Sequence, residues 1–130
     1  MKFDFSNLNP GTWFDFDNDK DGGKVCLKIL SAEDSQKVRD QCIKKENIYR
    51  DGKQYINENL NEKLFVEMVW DICIVGWENI FDAENKPIPC TKEFKLVLMN
   101  KSVKFAEFVT VKLNLLRELK EGQSKEEEKN

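Results

Sequence analysis

Thr12-Trp13-Phe14-Asp15-Phe16-Asp17 and Lys24-Val25-Cys26-Leu27-Lys28-Ile29-Leu30 flank the loop from Asn18 to Gly23. Two β-prone runs around Asn, Asp and Gly, residues that tolerate positive φ, predict an antiparallel hairpin. Phe14 and Phe16 alternate with Asp15 and Asp17, while Val25, Leu27 and Ile29 alternate with Lys24, Cys26 and Lys28. Each strand therefore has one wetter face, as in a small antiparallel sheet lying on a core. Phe3 and Phe5, ahead of the Asn9-Pro10-Gly11 turn, offer an additional edge strand.

Beyond the hairpin the pattern turns helical. Ser31-Ala32-Glu33-Asp34 supplies an N-cap hydroxyl and first-turn acids, and Val38, Cys42 and Ile43 form a thin apolar stripe. Asp51-Gly52, between Ile48-Tyr49 and Tyr55-Ile56, suggests a second small hairpin. Asn57 or Asn59 then opens a long helix expected to reach Gly76, apolar on nearly every side from Leu64 to Val75. A loop runs from Glu78 to Cys90, where Pro87 and Pro89 block regular structure. Thr91 caps a short helix over Lys92–Met99, and Asn100-Lys101-Ser102 breaks it. Phe105, Phe108, Val109, Leu113, Leu116 and Leu119 fall at helical spacing in a last helix that should end near Gly122. The expected fold is α+β: a small N-terminal antiparallel β-hairpin or sheet packed on a mostly α-helical body of about four helices. One domain spans residues 1–120, β-rich over 1–30 and mainly helical over 31–120, with 121–130 a charged, disordered tail.

Composition narrows the function. The 130 residues hold 21 Lys+Arg, 24 Asp+Glu and no His, for a net charge of −3. The missing histidine removes Ser-His-Asp and Cys-His nucleophiles, His-ligated zinc and the usual general base. No enzyme and no cofactor are expected. The charge is uneven: residues 1–23 carry −3, 121–130 carry −2 and the body between them +2. That is too little positive charge for nucleic-acid binding, though an acidic protein partner is allowed. Cys26, Cys42, Cys73 and Cys90 form no C-x-x-C pair and read as free thiols in a reducing cytosol. Met1-Lys2-Phe3-Asp4-Phe5 lacks the basic-then-apolar order of a secretory signal, and Leu64–Trp77 is too short and too charged to span a bilayer. A cytosolic chain without membrane partners is expected.

Asp17-Asn18-Asp19-Lys20-Asp21-Gly22 matches the opening of a calcium loop, with Asp17, Asp19 and Asp21 as ligands. Its closing position is Lys28 rather than Glu, and strands flank it, so a polar hairpin turn accounts for the same residues. Glu67 and Asp71 share a helix face with Lys63, which reads as a stripe of local ion pairs.

The stretch Val69-Trp70-Asp71-Ile72-Cys73-Ile74-Val75-Gly76-Trp77-Glu78 leads through Asp82 and Asn85-Lys86-Pro87-Ile88-Pro89 to Thr91-Lys92-Glu93. Trp-acidic, a turn with Asp, Pro-x-Pro, Thr-x-Glu and a Leu-rich helix together resemble the tail assembly chaperones of long-tailed bacteriophages and prophages. The resemblance rests on Val69 to Leu98, and Asn85-Lys86 stands where an Asp-Gly type turn is usual. It implies a protein of the host cytoplasm, absent from the mature virion, that binds the hydrophobic tape-measure protein and helps recruit the major tail-tube protein. Self-association is left open. The expected contact surface is Met68, Trp70, Trp77 and Phe81 with Phe105 and Phe108, the alternative being that all six form the core. A structural tail-completion or connector protein, or a small calcium-binding domain, are the competing readings.

Overall fold

Residues 10–128 are described in the computed structural model, with side chains through residue 120. The elements run β1 (Thr12–Asp15), β2 (Lys24–Leu27), α1 (Ala32–Cys42), β3 (Ile43–Arg50), β4 (Lys53–Leu60), α2 (Glu62–Cys73), β5 (Ile74–Glu78), α3 (Lys92–Lys101) and α4 (Val103–Glu128). Among the described residues, four helices and two antiparallel sheets make the fold α+β, with the N-terminal hairpin as expected. Within the stretch assigned above to one domain, the chain gathers into two compact units. One is Leu30–Trp70; the other joins the residues up to Ile29 with those from Asp71 onward. The edge strand suggested by Phe3 and Phe5 lies outside the described residues.

The unit that holds the N-terminal hairpin is built on a three-stranded sheet in the order β1-β2-β5. β2 is the central strand, paired along both edges, and Val25, Cys26 and Leu27 are all buried. This corrects the wetter face expected at Cys26. Its side chain lies beneath Gly11, where a Cβ would come within 2.6 Å of the Cys26 sulfur and where φ is +94°. Glycine is therefore demanded twice there, by space and by backbone conformation. Ile74 and Trp77 on β5 join Val25 and Leu27, and Met99, Phe105, Val109 and Leu113 from α3 and α4 complete the buried apolar set.

The largest departure concerns the apolar run. The helix expected to reach Gly76 stops at Cys73, and Ile74–Glu78 pairs with β2 as a strand. Short apolar segments satisfy either period; here sheet pairing decides. The helix also starts later, at Glu62, because Asn61 rather than Asn57 or Asn59 caps it: its Oδ1 accepts the Leu64 N–H at 3.2 Å. The residues thus released extend the second hairpin to eight residues on each side.

The caps read from sequence at Ser31 and Thr91 are in place. Ser31 Oγ accepts the Asp34 N–H at 3.1 Å and Thr91 Oγ1 the Phe94 N–H at 3.3 Å. Ser102 serves twice: its N–H goes to the Leu98 carbonyl, ending α3, and its Oγ accepts the Phe105 N–H, opening α4. The backbone of α4 continues to Glu128, which corrects the stop expected near Gly122.

Candidate docking surface

The segment that carries the family resemblance is a braced loop. After β5 the chain turns at Asn79, whose φ of +58° is reinforced by a hydrogen bond from its side-chain amide to the Gly22 carbonyl at 3.1 Å. Asp82 Oδ1 accepts the N–H groups of Glu84 and Lys86, and the Asp82 N–H returns to the Lys86 carbonyl at 2.9 Å. Asn85 takes φ of +62°, the left-handed position that glycine would hold in an Asp-Gly turn, so the departure at Asn85-Lys86 preserves the turn. A bridge between Phe81 and Pro87 and a hydrogen bond from Ile88 N–H to the Ile80 carbonyl close the loop. The buried Trp77 indole donates to the Ile88 carbonyl at 2.7 Å and ties the loop to the core.

Beside this loop lies an open cleft of about 260 Å³. Phe16, Ile80, Phe81, Leu98 and Phe105 supply its apolar lining, with Asp19 and Asp21 on the hairpin turn and Lys104 on α4 as charged lining groups. Such a cleft can take an apolar side chain from a partner segment whose flanking charges are of both signs. The wall behind it is aromatic. Phe16 stacks on Phe108 with centroids 4.0 Å apart, and Trp77 meets Phe105 edge-on at 5.8 Å. The Lys112 ammonium stands 5.6 Å from the ring centres of both Phe14 and Phe108, within cation–π range.

The six residues expected to form one contact surface are placed differently from one another. Trp77 and Phe105 are core side chains with almost no free surface, because one anchors the loop and the other packs against it. Phe108 is half-buried under Phe16. Phe81 remains 40% exposed at the cleft and is the contact candidate with free surface in this unit. Met68 and Trp70 belong to the other unit, both half-buried, and the Met68 sulfur lies 3.7 Å from that of Cys42.

The acidic turn is committed to the hairpin. Asp19 Oδ2 accepts the Gly23 N–H at 2.8 Å, and its Oδ1 lies 3.4 Å from the Asp21 nitrogen. Among the described residues, no group of three Cys, Asp or Glu side chains is placed to hold a metal ion, Asp17, Asp19 and Asp21 included. Nor is any described helix long and apolar enough to cross a membrane.

Sequence spacing missed the partner of Asp71. Lys95 is buried in α3, and its ammonium donates to both the Asp71 carbonyl at 2.9 Å and the carboxylate at 3.1 Å. Asp71 thus turns to α3 rather than along the Lys63–Glu67 row, and Lys95 satisfies a carbonyl left open in the last turn of α2. The available signal was position: Lys95 stands one helical turn before the buried Met99. Cys90 lies near this pair. Burial pushes its thiol above the usual range, with Asp71 adding to the rise and Lys95 and a backbone hydrogen bond at Trp77 opposing it. Also missed were the exposed large side chains Trp13 on the N-terminal hairpin and Tyr49, Tyr55 and Ile56 on β3 and β4.

No curated protein and no solved structure gives a significant match to this chain. A protein-family match does exist and runs over residues 31–130, which include the braced loop, α3 and α4. The chain belongs to the YdaY prophage protein family.

Proposed function

We propose that this prophage protein is a tail assembly chaperone that binds the hydrophobic tape-measure protein and helps bring major tail-tube subunits to it. The observation that carries the reading is the braced loop: the resembling segment builds one wall of an apolar cleft and holds Phe81 exposed at it. A rigid loop presenting an aromatic beside a cleft accepts an amphipathic partner helix at low ordering cost. The protein acts by surface rather than by chemistry, in the cytoplasm of the bacterial host, and leaves before the virion is complete.

Co-expression with the tape-measure protein of the same prophage, followed by a pull-down, tests this. The wild-type chain should retain the long protein in soluble form, and Phe81→Asp should lose it by about tenfold or more with an unchanged far-UV spectrum. Failure of the wild-type chain to hold the tape-measure protein overturns the proposal. So does recovery of the chain in purified particles, which favours a tail-completion or connector role.

A further inference from the structure

We propose that β3 is a self-pairing edge, through which two copies of this chain join into a four-stranded antiparallel sheet ordered β4-β3-β3-β4. Among the described residues the β3–β4 sheet has two strands, and every residue from Asp51 to Leu60 is exposed. A two-stranded ribbon is marginal in water by itself, and a free edge is a template for strand addition. Tyr49, Tyr55 and Ile56 are 73%, 52% and 66% exposed, an apolar load that a solitary hairpin leaves in water.

The backbone parity is fixed. Asp51 and Gly52 both have positive φ, +52° and +74°, which makes a type I′ turn closed by the hydrogen-bonded pair Arg50–Lys53. Alternation along the ladder then gives inward hydrogen bonds to the even-numbered residues of β3. The Asn61 N–H bonded to the Cys42 carbonyl at 2.8 Å continues the same parity past the strand end. Lys45, Asn47 and Tyr49 therefore direct their N–H and C=O groups outward, to the free edge.

Charge selects the occupant and the register. A two-fold axis at Ile48 sets Glu46 opposite Arg50 of the second copy and Lys45 opposite its Asp51, and each pair occurs twice. Asn47 and Tyr49 form the hydrogen-bonded pairs between copies, matching the outward parity. Sliding by two residues one way sets Lys44 against Arg50; sliding by four sets Glu46 against itself. The outer edge of β4 offers no comparable match, because Lys53 and Glu58 differ in parity and never face each other across a two-fold axis. On one face the central register lines up Tyr55, Ile48, Ile48 and Tyr55 in a continuous row, since Ile48 pairs with Tyr55 within each hairpin. Cross-strand contacts of this kind are the unit of sheet stability.

Sedimentation equilibrium on the full chain is the test. Wild type should dimerise, while Glu46→Arg and Arg50→Glu should each weaken the dimer by about tenfold or more, since each sets like charges face to face twice. Mixing the two variants should restore dimers, because in the mixed pair one copy carries two cations at these positions and the other two carboxylates. Independently of any variant, amide exchange at Lys45, Asn47 and Tyr49 should slow as wild-type protein is raised from micromolar to millimolar concentration. A monomeric wild type, single variants that dimerise like wild type, or exchange at these amides that ignores concentration would overturn the proposal. None of these readouts involves the tape-measure protein, so failure here leaves the docking test of Phe81 standing.

Discussion

At the scale of single residues, the Lys95–Asp71 pair shows how a buried charge is accommodated and where spacing rules stop. Lys95 is buried because α3 brings it to the end of α2, and it is tolerated because two oxygens of Asp71 receive its ammonium. Replacing Lys95 by Ala leaves a helix-terminal carbonyl and a carboxylate without their donor. Asp71 keeps some contact with solvent, which softens the loss, so a cost of about 2 kcal/mol is expected. Urea denaturation should register it as a lower midpoint at unchanged slope. The thiols give a second residue-scale prediction. Burial raises both Cys26 and Cys90 from the usual value of 9.0, so the native state holds these protons more tightly than the unfolded chain does. That contribution is fully present below pH 9.0 and is lost as pH climbs through the folded values. Unfolding midpoints should thus fall on the alkaline side of that value, and Cys90→Ser should flatten part of the decline. An equal decline in Cys90→Ser would remove this thiol from the account. The sequence could not separate the 40% exposed Phe81 from the buried Trp77 and Phe105, because it gives the size of an aromatic and not which way its ring packs.

At the scale of elements, the structure divides one apolar run between two periods. Leu64 to Val75 is nearly all apolar, and nothing local says where a helix should yield to a strand. The deciding partner is β2, far back in the chain, whose Val25 and Cys26 pair with Trp77 and Gly76. The N-terminal hairpin was legible because alternation and its turn residues agree. The second hairpin was legible only at its Asp51-Gly52 turn, since Lys, Asn, Glu and Gln along its arms are poor strand formers and the asparagines mimic helix caps. The pairing with β2 skips Val75, passing from Cys26–Gly76 to Leu27–Ile74, and this irregularity keeps Ile74 on the same face as Trp77: Ile74 is fully buried and Val75 is 45% exposed. Ile74→Ala should then cost about 2–4 kcal/mol and Val75→Ala less than about 1. Equal costs, measured by thermal or urea unfolding, would favour a helix through this stretch.

At the scale of the whole molecule, the family match and the folding unit have different boundaries. The match begins at Ser31, yet β2, the middle strand of the three-stranded sheet, lies before it. Within residues 31–130, β5 would be left without β2, the strand it pairs with, and Ile74 and Trp77 would lose Val25 and Leu27 from their face of the sheet. Val25, Cys26 and Leu27 are all buried, and burying an aliphatic side chain contributes about 1.5–3 kcal/mol. Losing the strand removes several kcal/mol from a typical stability of about 5–15. The contribution is also non-local, since β2 joins β1 on one side to β5 on the other. A fragment of residues 31–130 should therefore bind hydrophobic dyes and lose the near-UV signal of Trp77. It should also lack a single cooperative melt over the unit formed by β5, α3 and α4. Adding residues 1–30 as a separate peptide should restore part of that signal, because β2 is a contiguous strand whose second edge is the one that pairs with β5. A fragment that melts cooperatively within a few degrees of the full chain would mean that the matched region folds alone, with the N-terminal hairpin an attachment rather than the centre of its sheet.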